Sequence, residues 1–74
     1  MKKAGINYAI AKYKEKPSMM VITQNTGEST NIEPGVVFKV FEFEPTLIIE
    51  DEENEAIICY DTDTISKIEV YSTT

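Results

Sequence analysis

Branching at the Cβ atom is the sequence feature that most constrains this chain. Ten isoleucines, five valines and eight threonines stand against a single leucine, Leu47. Two heavy atoms on Cβ restrict the rotamers of a side chain in a helix and pack well on a pleated surface. The composition therefore predicts strands, and the length of 74 residues leaves room for one small domain, residues 1–74.

The residue types that the chain lacks exclude several kinds of chemistry. It contains no histidine, arginine or tryptophan, and it has one cysteine, Cys59. A Cys/His zinc site, a histidine general base and an internal disulfide are therefore ruled out. We expect a protein that is not an enzyme and that uses no cofactor and no metal.

Charge is unevenly distributed along the chain. Residues 1–27 carry five lysines and one acidic residue, a net charge of +4, and residues 28–74 carry two lysines and twelve acidic residues, a net charge of −10. The overall charge of −6 and the absence of arginine disfavour nucleic acid as a partner. No apolar run approaches the roughly 20 residues of a transmembrane helix, and no secretory signal is recognisable, so we expect a cytoplasmic protein without membrane contact.

Alternating apolar residues and turn residues predict the strands. The predicted strands span residues 19–24, 36–43, 46–50, 56–60 and 65–71, and a short strand near 31–33 would make a sixth. Pro34 and Gly35 open the strand at 36–43, and Pro45 closes it. Short strands at this spacing predict an all-β, mainly antiparallel fold, either a small barrel or a strongly bent meander sheet.

Residues 5–16 fit two periods. Ile6, Tyr8 and Ile10 match the period of two of a strand, whereas Ile6, Ala9, Ile10 and Tyr13 match the face of a helix. We favour a strand that ends at Pro17, and one short N-terminal helix is the alternative.

Three features of the C-terminal half occur together in known small barrels. They are the hairpin 47–60, the polar turn 61–64 and a closing strand of the form Ile65-x-x-Ile68-x-Val70. With these features, residues 36–71 resemble the SH3-like and Sm-like barrels in shape, without pointing to a specific family. The resemblance implies RNA binding through loops that contain glycine and arginine, but the turn 61–64 has neither.

The densest charge cluster is an acidic run between two predicted strands, which we name the acidic turn. It consists of Glu50, Asp51, Glu52, Glu53 and Glu55. The favoured interpretation is a solvated hairpin tip; the alternatives are an acidic contact surface and a divalent-cation site, although calcium loops usually contain a glycine that this run lacks. Asp61 and Asp63 could likewise pair as carboxylates, but Asp and Thr in this order are typical of a turn that caps its own backbone.

Two further groups of side chains are candidates for chemistry. Tyr8, Lys12, Tyr13 and Lys14 could contact an anionic ligand. The basic and aromatic stretch of Lys12, Tyr13, Lys14 and Lys16 is, however, more often an edge strand that lysines protect from further pairing. Cys59, between Ile58 and Tyr60, is predicted to be buried and unreactive, because no nearby cation or histidine would activate it.

Large apolar side chains occur at both odd- and even-numbered positions of residues 36–49. A single buried face of a regular strand cannot accept all of them. We therefore expect self-association, most simply a dimer, through this segment. The candidate contacts are Phe38, Phe41, Phe43 and Ile48.

The leading functional hypothesis is a non-enzymatic, acidic interaction protein with a protein partner. Small acidic β proteins of this kind are often encoded by phages and other mobile elements, where they block or modulate a host protein such as a nucleic-acid-binding or defence enzyme. The first alternative is an oligomeric protein that binds or sequesters a small anionic ligand such as a nucleotide. The second alternative is an Sm-like nucleic-acid-binding module.

Overall fold

A helix followed by six strands makes up the computed structural model of this chain, which describes residues 1–40 and 44–73. The elements are α1 (Lys3–Glu15), β1 (Ser18–Gln24), β2 (Ser29–Ile32), β3 (Val37–Val40), β4 (Thr46–Asp51), β5 (Ala56–Asp61), a turn of 3-10 helix (Thr62–Thr64) and β6 (Ile65–Ser72). The predicted strands at 19–24, 46–50, 56–60 and 65–71 are confirmed with small shifts of their ends. The short strand lies slightly earlier than expected, and residues 41–43 of the predicted strand 36–43 lie outside the described residues.

The strands form two antiparallel sheets of three strands each. In the first sheet, β1 lies between β2 and β6, with Met20 opposite both Ile32 and Val70. In the second sheet, β4 lies between β3 and β5, with Leu47 opposite Val40 and Tyr60. The mainly antiparallel β class is thereby confirmed. No strand pairing among the described residues joins the two sheets, so the barrel is not closed there.

Residues 3–15 form a helix, and the favoured prediction of a strand in this region was wrong. The buried side chains of α1 are Ile6, Ala9, Ile10 and Tyr13, which share one face at helical spacing. Tyr8, which a strand would have placed beside Ile6 and Ile10, is 67% exposed. The expected edge strand with protective lysines is therefore also absent from this region. No helix in residues 1–40 and 44–73 has the length and apolar character that crossing a bilayer requires.

One hydrophobic core joins the helix to both sheets. Met20 and Ile22 of β1 and Leu47 of β4 have no exposed surface, and α1 contacts β1, β3 and β6. The remaining core residues are Ile6, Ala9, Ile10, Tyr13, Ile32, Phe38, Ile49, Tyr60 and Ile65. The helix therefore supplies the cover that the inner faces of both sheets need.

Candidate contact surface on the second sheet

The outer face of the second sheet carries apolar side chains that the core does not use. Pairing places Val37, Glu50 and Ile57 side by side in one row across β3, β4 and β5. The next row holds Lys39, Ile48 and Cys59. The side chains between these positions face inward, where Phe38, Leu47, Ile49 and Tyr60 are buried. The alternation of the strands thus leaves isoleucines on both faces of one sheet.

Ile57 is the most exposed large apolar residue of the chain that the structure describes. Its exposed fraction is 70%, compared with 42% for Val37 on the same face. Ile57 lies on β5, an outer strand of the sheet, and it lines a shallow depression together with Glu52 and Glu55. An apolar side chain that projects beside carboxylates is suited to enter a pocket with a basic rim.

The acidic turn is the tip of the β4–β5 hairpin, as predicted. Asp51 closes the turn, because its Oδ1 accepts a hydrogen bond from the backbone N–H of Asn54 (3.2 Å) and its Oδ2 accepts one from the Asn54 side-chain amide (2.7 Å). Glu50 lies on the outer face, where its Oε1 is 3.0 Å from Lys39 Nζ. The exposed carboxylates of the turn are those of Glu52, Glu53 and Glu55. No group of three or more acidic or cysteine side chains in the described ranges is placed to hold a metal ion.

A cleft of about 610 Å³ separates the acidic turn from the segment that links β2 to β3. The cleft is lined by Glu33, Pro34, Gly35, Val36 and residues 51–54. Gly35 adopts a φ of +90°, a conformation that favours glycine. Asp51, Glu52 and Glu53 form the acidic wall of this cleft, and the link places the exposed residue Glu33 across from them. Sequence reasoning missed Glu33, since no local signal indicates that it lies across a cleft from the turn.

The Tyr13 hydroxyl group holds this link in place. It donates a hydrogen bond to the carbonyl oxygen of Glu33 and accepts one from the backbone N–H of Val36 (3.0 Å). Tyr13 itself is only 4% exposed. The ring of Tyr13 is thus in the core and its hydroxyl group is bonded to the backbone, while the residue also borders the cleft that Lys14 lines. Its contact with an anionic ligand stays a prediction.

The other candidate anion contacts divide between two sides of α1. Tyr8 and Lys12 lie one turn apart, with Lys12 Nζ 5.5 Å from the centre of the Tyr8 ring. They line a cleft of about 480 Å³ between α1 and β6, with Ile68 and Val70 among its apolar walls. The Glu15 carboxylate, 3.2 Å from Lys12 Nζ, raises the pKa of Lys12 above its ordinary value, first through their hydrogen bond and then through its charge. Lys14 lines a different cleft.

Cys59 is exposed, contrary to the prediction of a buried thiol. It faces outward opposite Ile48, whereas its neighbour Tyr60 faces the core. The apolar run before it conceals this alternation in the sequence.

The turn 61–64 follows the capping interpretation. Asp61 Oδ1 accepts a hydrogen bond from the backbone N–H of Asp63 (3.0 Å), and Thr64 Oγ1 donates one to the Asp61 carbonyl oxygen (2.7 Å). The Asp61 carboxylate thus caps the turn of 3-10 helix, so the turn chemistry accounts for this residue without a paired-carboxylate site.

The predicted self-association contacts have different surroundings. Phe38 is 7% exposed and packs in the core, so little of its side chain is accessible to a second chain. Ile48 is half-buried on the outer face, and Phe41 and Phe43 lie outside the described residues. Self-association remains a prediction, and Ile48 is the candidate contact on the described outer face.

Comparison with protein-family models, characterised protein sequences and solved structures finds no match to this chain. Its function is therefore inferred from its own residues.

Proposed function

We propose that this protein is a non-enzymatic interaction module that binds a basic surface of a protein partner through its β4–β5 hairpin. The observation that supports the proposal is the position of Ile57, which is 70% exposed beside the acidic turn. Protein interfaces commonly combine an apolar centre with a polar rim, and Ile57 with the neighbouring carboxylates has this composition.

Charge supports a basic partner. Glu52, Glu53 and Glu55 project from the tip of the hairpin, and Glu33 extends the acidic wall across the neighbouring cleft. Lys39, the lysine of the second sheet, is engaged by Glu50. A concentrated negative potential of this kind accelerates association with lysine- and arginine-rich surfaces and discriminates against acidic ones.

Inhibition is the form of this function that we favour. Carboxylates at the tip of a hairpin can occupy the positions that phosphates take in the basic cleft of a nucleic-acid-binding protein. A small protein encoded by a phage or another mobile element would use such a contact to block a host enzyme. The same surface would equally suit a protein that modulates a basic partner without blocking it. Neither role requires a catalytic group on this chain.

Photo-crosslinking in the producing cells tests the proposal. A photoreactive amino acid at position 57 should give a defined adduct with a protein other than this chain, whereas the same group at Tyr71, an exposed residue of β6, should not. Replacing Glu52, Glu53 and Glu55 by glutamine should remove the position 57 adduct. An adduct that is equally abundant at both positions, or that persists after the charges are removed, would contradict the proposal.

The cleft between α1 and β6 favours a second candidate function, the binding of a small anion. Tyr8, Lys12 and Lys16 lie at this cleft beside the apolar walls formed by Ile68 and Val70, as a ligand with an aromatic ring and a phosphate would require. A thermal-shift screen with nucleotides tests it. A ligand should raise the melting temperature of the wild-type protein and of Lys14→Gln, and it should have less effect on Lys12→Gln.

A further inference from the structure

The β5 strand has an edge without a ladder partner in the described part of the chain. It is an outer strand of the second sheet, and its other edge pairs with β4 along its whole length. In an antiparallel sheet, such an edge presents alternate backbone N–H and C=O groups that can pair with a further strand.

The other outer strands carry features that discourage such pairing. The β2 strand has four residues and lies between Glu28 and Glu33, and the described part of β3, Val37–Val40, includes Lys39. The eight residues of β6 include Lys67 and Glu69 near its middle. Short length and central charges are the usual protection of edge strands.

The β5 strand has neither feature. Residues 56–60 are uncharged and include no proline, and Ile57 and Cys59 project from the outer face. Its one charged residue, Asp61, stands at the C-terminal end, and Glu55 precedes the N-terminal end. The β5 edge is thus open to pairing with a further strand, and the carboxylate at each end favours a strand that carries positive charges.

A second copy of this chain does not match that charge pattern. In an antiparallel pairing of two β5 strands about their centre, Glu55 of each chain would lie near Asp61 of the other. Like charges placed opposite one another across strands are destabilising. A strand with basic residues at its ends would instead form opposite-charge pairs at both positions.

We infer that β5 binds an extended segment of the partner as an added strand of the second sheet. The segment carries apolar side chains at alternate positions, beside Ile57 and Cys59, and lysine or arginine at its ends, beside Glu55 and Asp61. Backbone pairing supplies affinity, and the side chains and end charges supply selectivity. The inference rests on the proposed function and names the element of the partner that this surface recognises.

A synthetic peptide of sequence Lys-Lys-Val-Thr-Val-Thr-Lys-Lys, capped at both ends, is a suitable probe. Its matched control has the same sequence with N-methyl groups on two consecutive central residues, which block hydrogen bonding on both edges of an extended chain. Charge is identical in the two peptides. We expect titration calorimetry to give an affinity for the control that is weaker by about tenfold or more, since it loses backbone hydrogen bonds.

Protein variants locate the contact. Ile57→Lys should weaken binding of the unmethylated peptide, because it places a cation beside the basic segment. The matched control Tyr71→Lys makes the same charge change at a site that is 52% exposed on β6, and it should leave the affinity unchanged. Hydrogen exchange should show new protection of β5 amides when the peptide binds.

The outcomes separate this inference from the proposed function. Equal binding of both peptides, lost when Glu52, Glu53 and Glu55 are changed to glutamine, would overturn strand addition and leave a charge-based contact standing. If neither peptide binds, strand addition is overturned. The proposed function is not, because the crosslinking experiment tests it independently. Protection of the backbone amides on the free edge of β5 in the protein without peptide would show that a second copy occupies this edge. That result would also overturn the inference.

Discussion

Tyr13 of α1 meets Phe38 of β3 edge to face, with ring centres 5.1 Å apart and ring planes at 84°. This geometry is favourable for aromatic pairs because it directs the positive ring edge towards the negative ring face. The same tyrosine bonds to the backbone at Glu33 and Val36. One side chain thus ties the helix both to the second sheet and to the segment that links β2 to β3.

Removing the Tyr13 hydroxyl group should destabilise the fold. Tyr13→Phe keeps the ring contact with Phe38 but deprives the Val36 N–H of its acceptor, a loss of about 1–3 kcal/mol in the free energy of unfolding. Urea denaturation measures this loss as a lower midpoint, provided that the slope of the unfolding free energy against urea concentration is unchanged. The control Tyr8→Phe, on the exposed face of α1, should stay within about 0.5 kcal/mol of the wild type. Equal stability of both variants would refute the structural role of this hydroxyl group.

Cys59 should react readily with a thiol reagent in the native protein, because its side chain is exposed on the outer face of β5. A cysteine moved to the inner face provides the comparison. Ile49→Cys combined with Cys59→Ala places the thiol at a position that is 1% exposed, where labelling should be much slower. Labelling kinetics under native conditions distinguish the two. Slow labelling of Cys59 itself would contradict its placement.

Glu69 should titrate below the ordinary range of a glutamate. The Tyr71 hydroxyl group donates a hydrogen bond to Glu69 Oε2 and is the main cause that lowers the pKa of Glu69; Lys67 Nζ, 3.4 Å from Oε1, contributes less. Tyr71→Phe should therefore raise the pKa of Glu69 more than Lys67→Gln does. Carboxyl chemical shifts followed by NMR measure both changes, and the reverse order would contradict the assignment.

The interaction of Glu69 with Tyr71 makes stability depend on pH in opposite directions at acidic and at alkaline pH. Because folding lowers the pKa of Glu69, its contribution to stability is present above the unfolded pKa of about 4.3 and is lost as pH falls through the lower folded value. Because Glu69 raises the pKa of Tyr71, through their hydrogen bond and then its charge, that contribution is present below about 10 and is lost as pH rises through the folded value. Tyr71 is exposed and Glu69 is only half-buried, so solvent screens their interaction and Tyr71→Phe should change stability only slightly.

Self-association through the outer face of β3 and β4 is predicted to strengthen with salt. Each chain carries a net charge of −6, and screening reduces the repulsion between two such chains. Ile48 and Val37 are the apolar contacts that a dimer would cover on this face, and contact between faces leaves the backbone edge of β5 unpaired. Sedimentation equilibrium should show a dimer that Ile48→Asp converts to a monomer. A wild-type monomer at tens of micromolar in both low and high salt would refute the prediction.

Local signals were sufficient for much of the β structure. The hairpin of β4 and β5 follows from two apolar runs around the acidic turn, and the turn 61–64 follows from the capping chemistry of Asp61. These features depend on residues close in sequence. The number of β-branched residues determined the fold class in the same way, because the rotamer restriction acts within each residue.

Tertiary structure decided what the local patterns left ambiguous. Residues 5–16 fit both periods, and the helix was selected because Ile6, Ile10 and Tyr13 cover the inner faces of both sheets. Cys59 follows two apolar neighbours, so its exposure depended on which face of β5 packs against the core. Glu33 lies at the acidic wall through tertiary contacts, which include the hydrogen bond from Tyr13, distant in sequence, to the link after β2. Sequence periodicity defines the faces of an element, but packing between distant elements determines which face is buried.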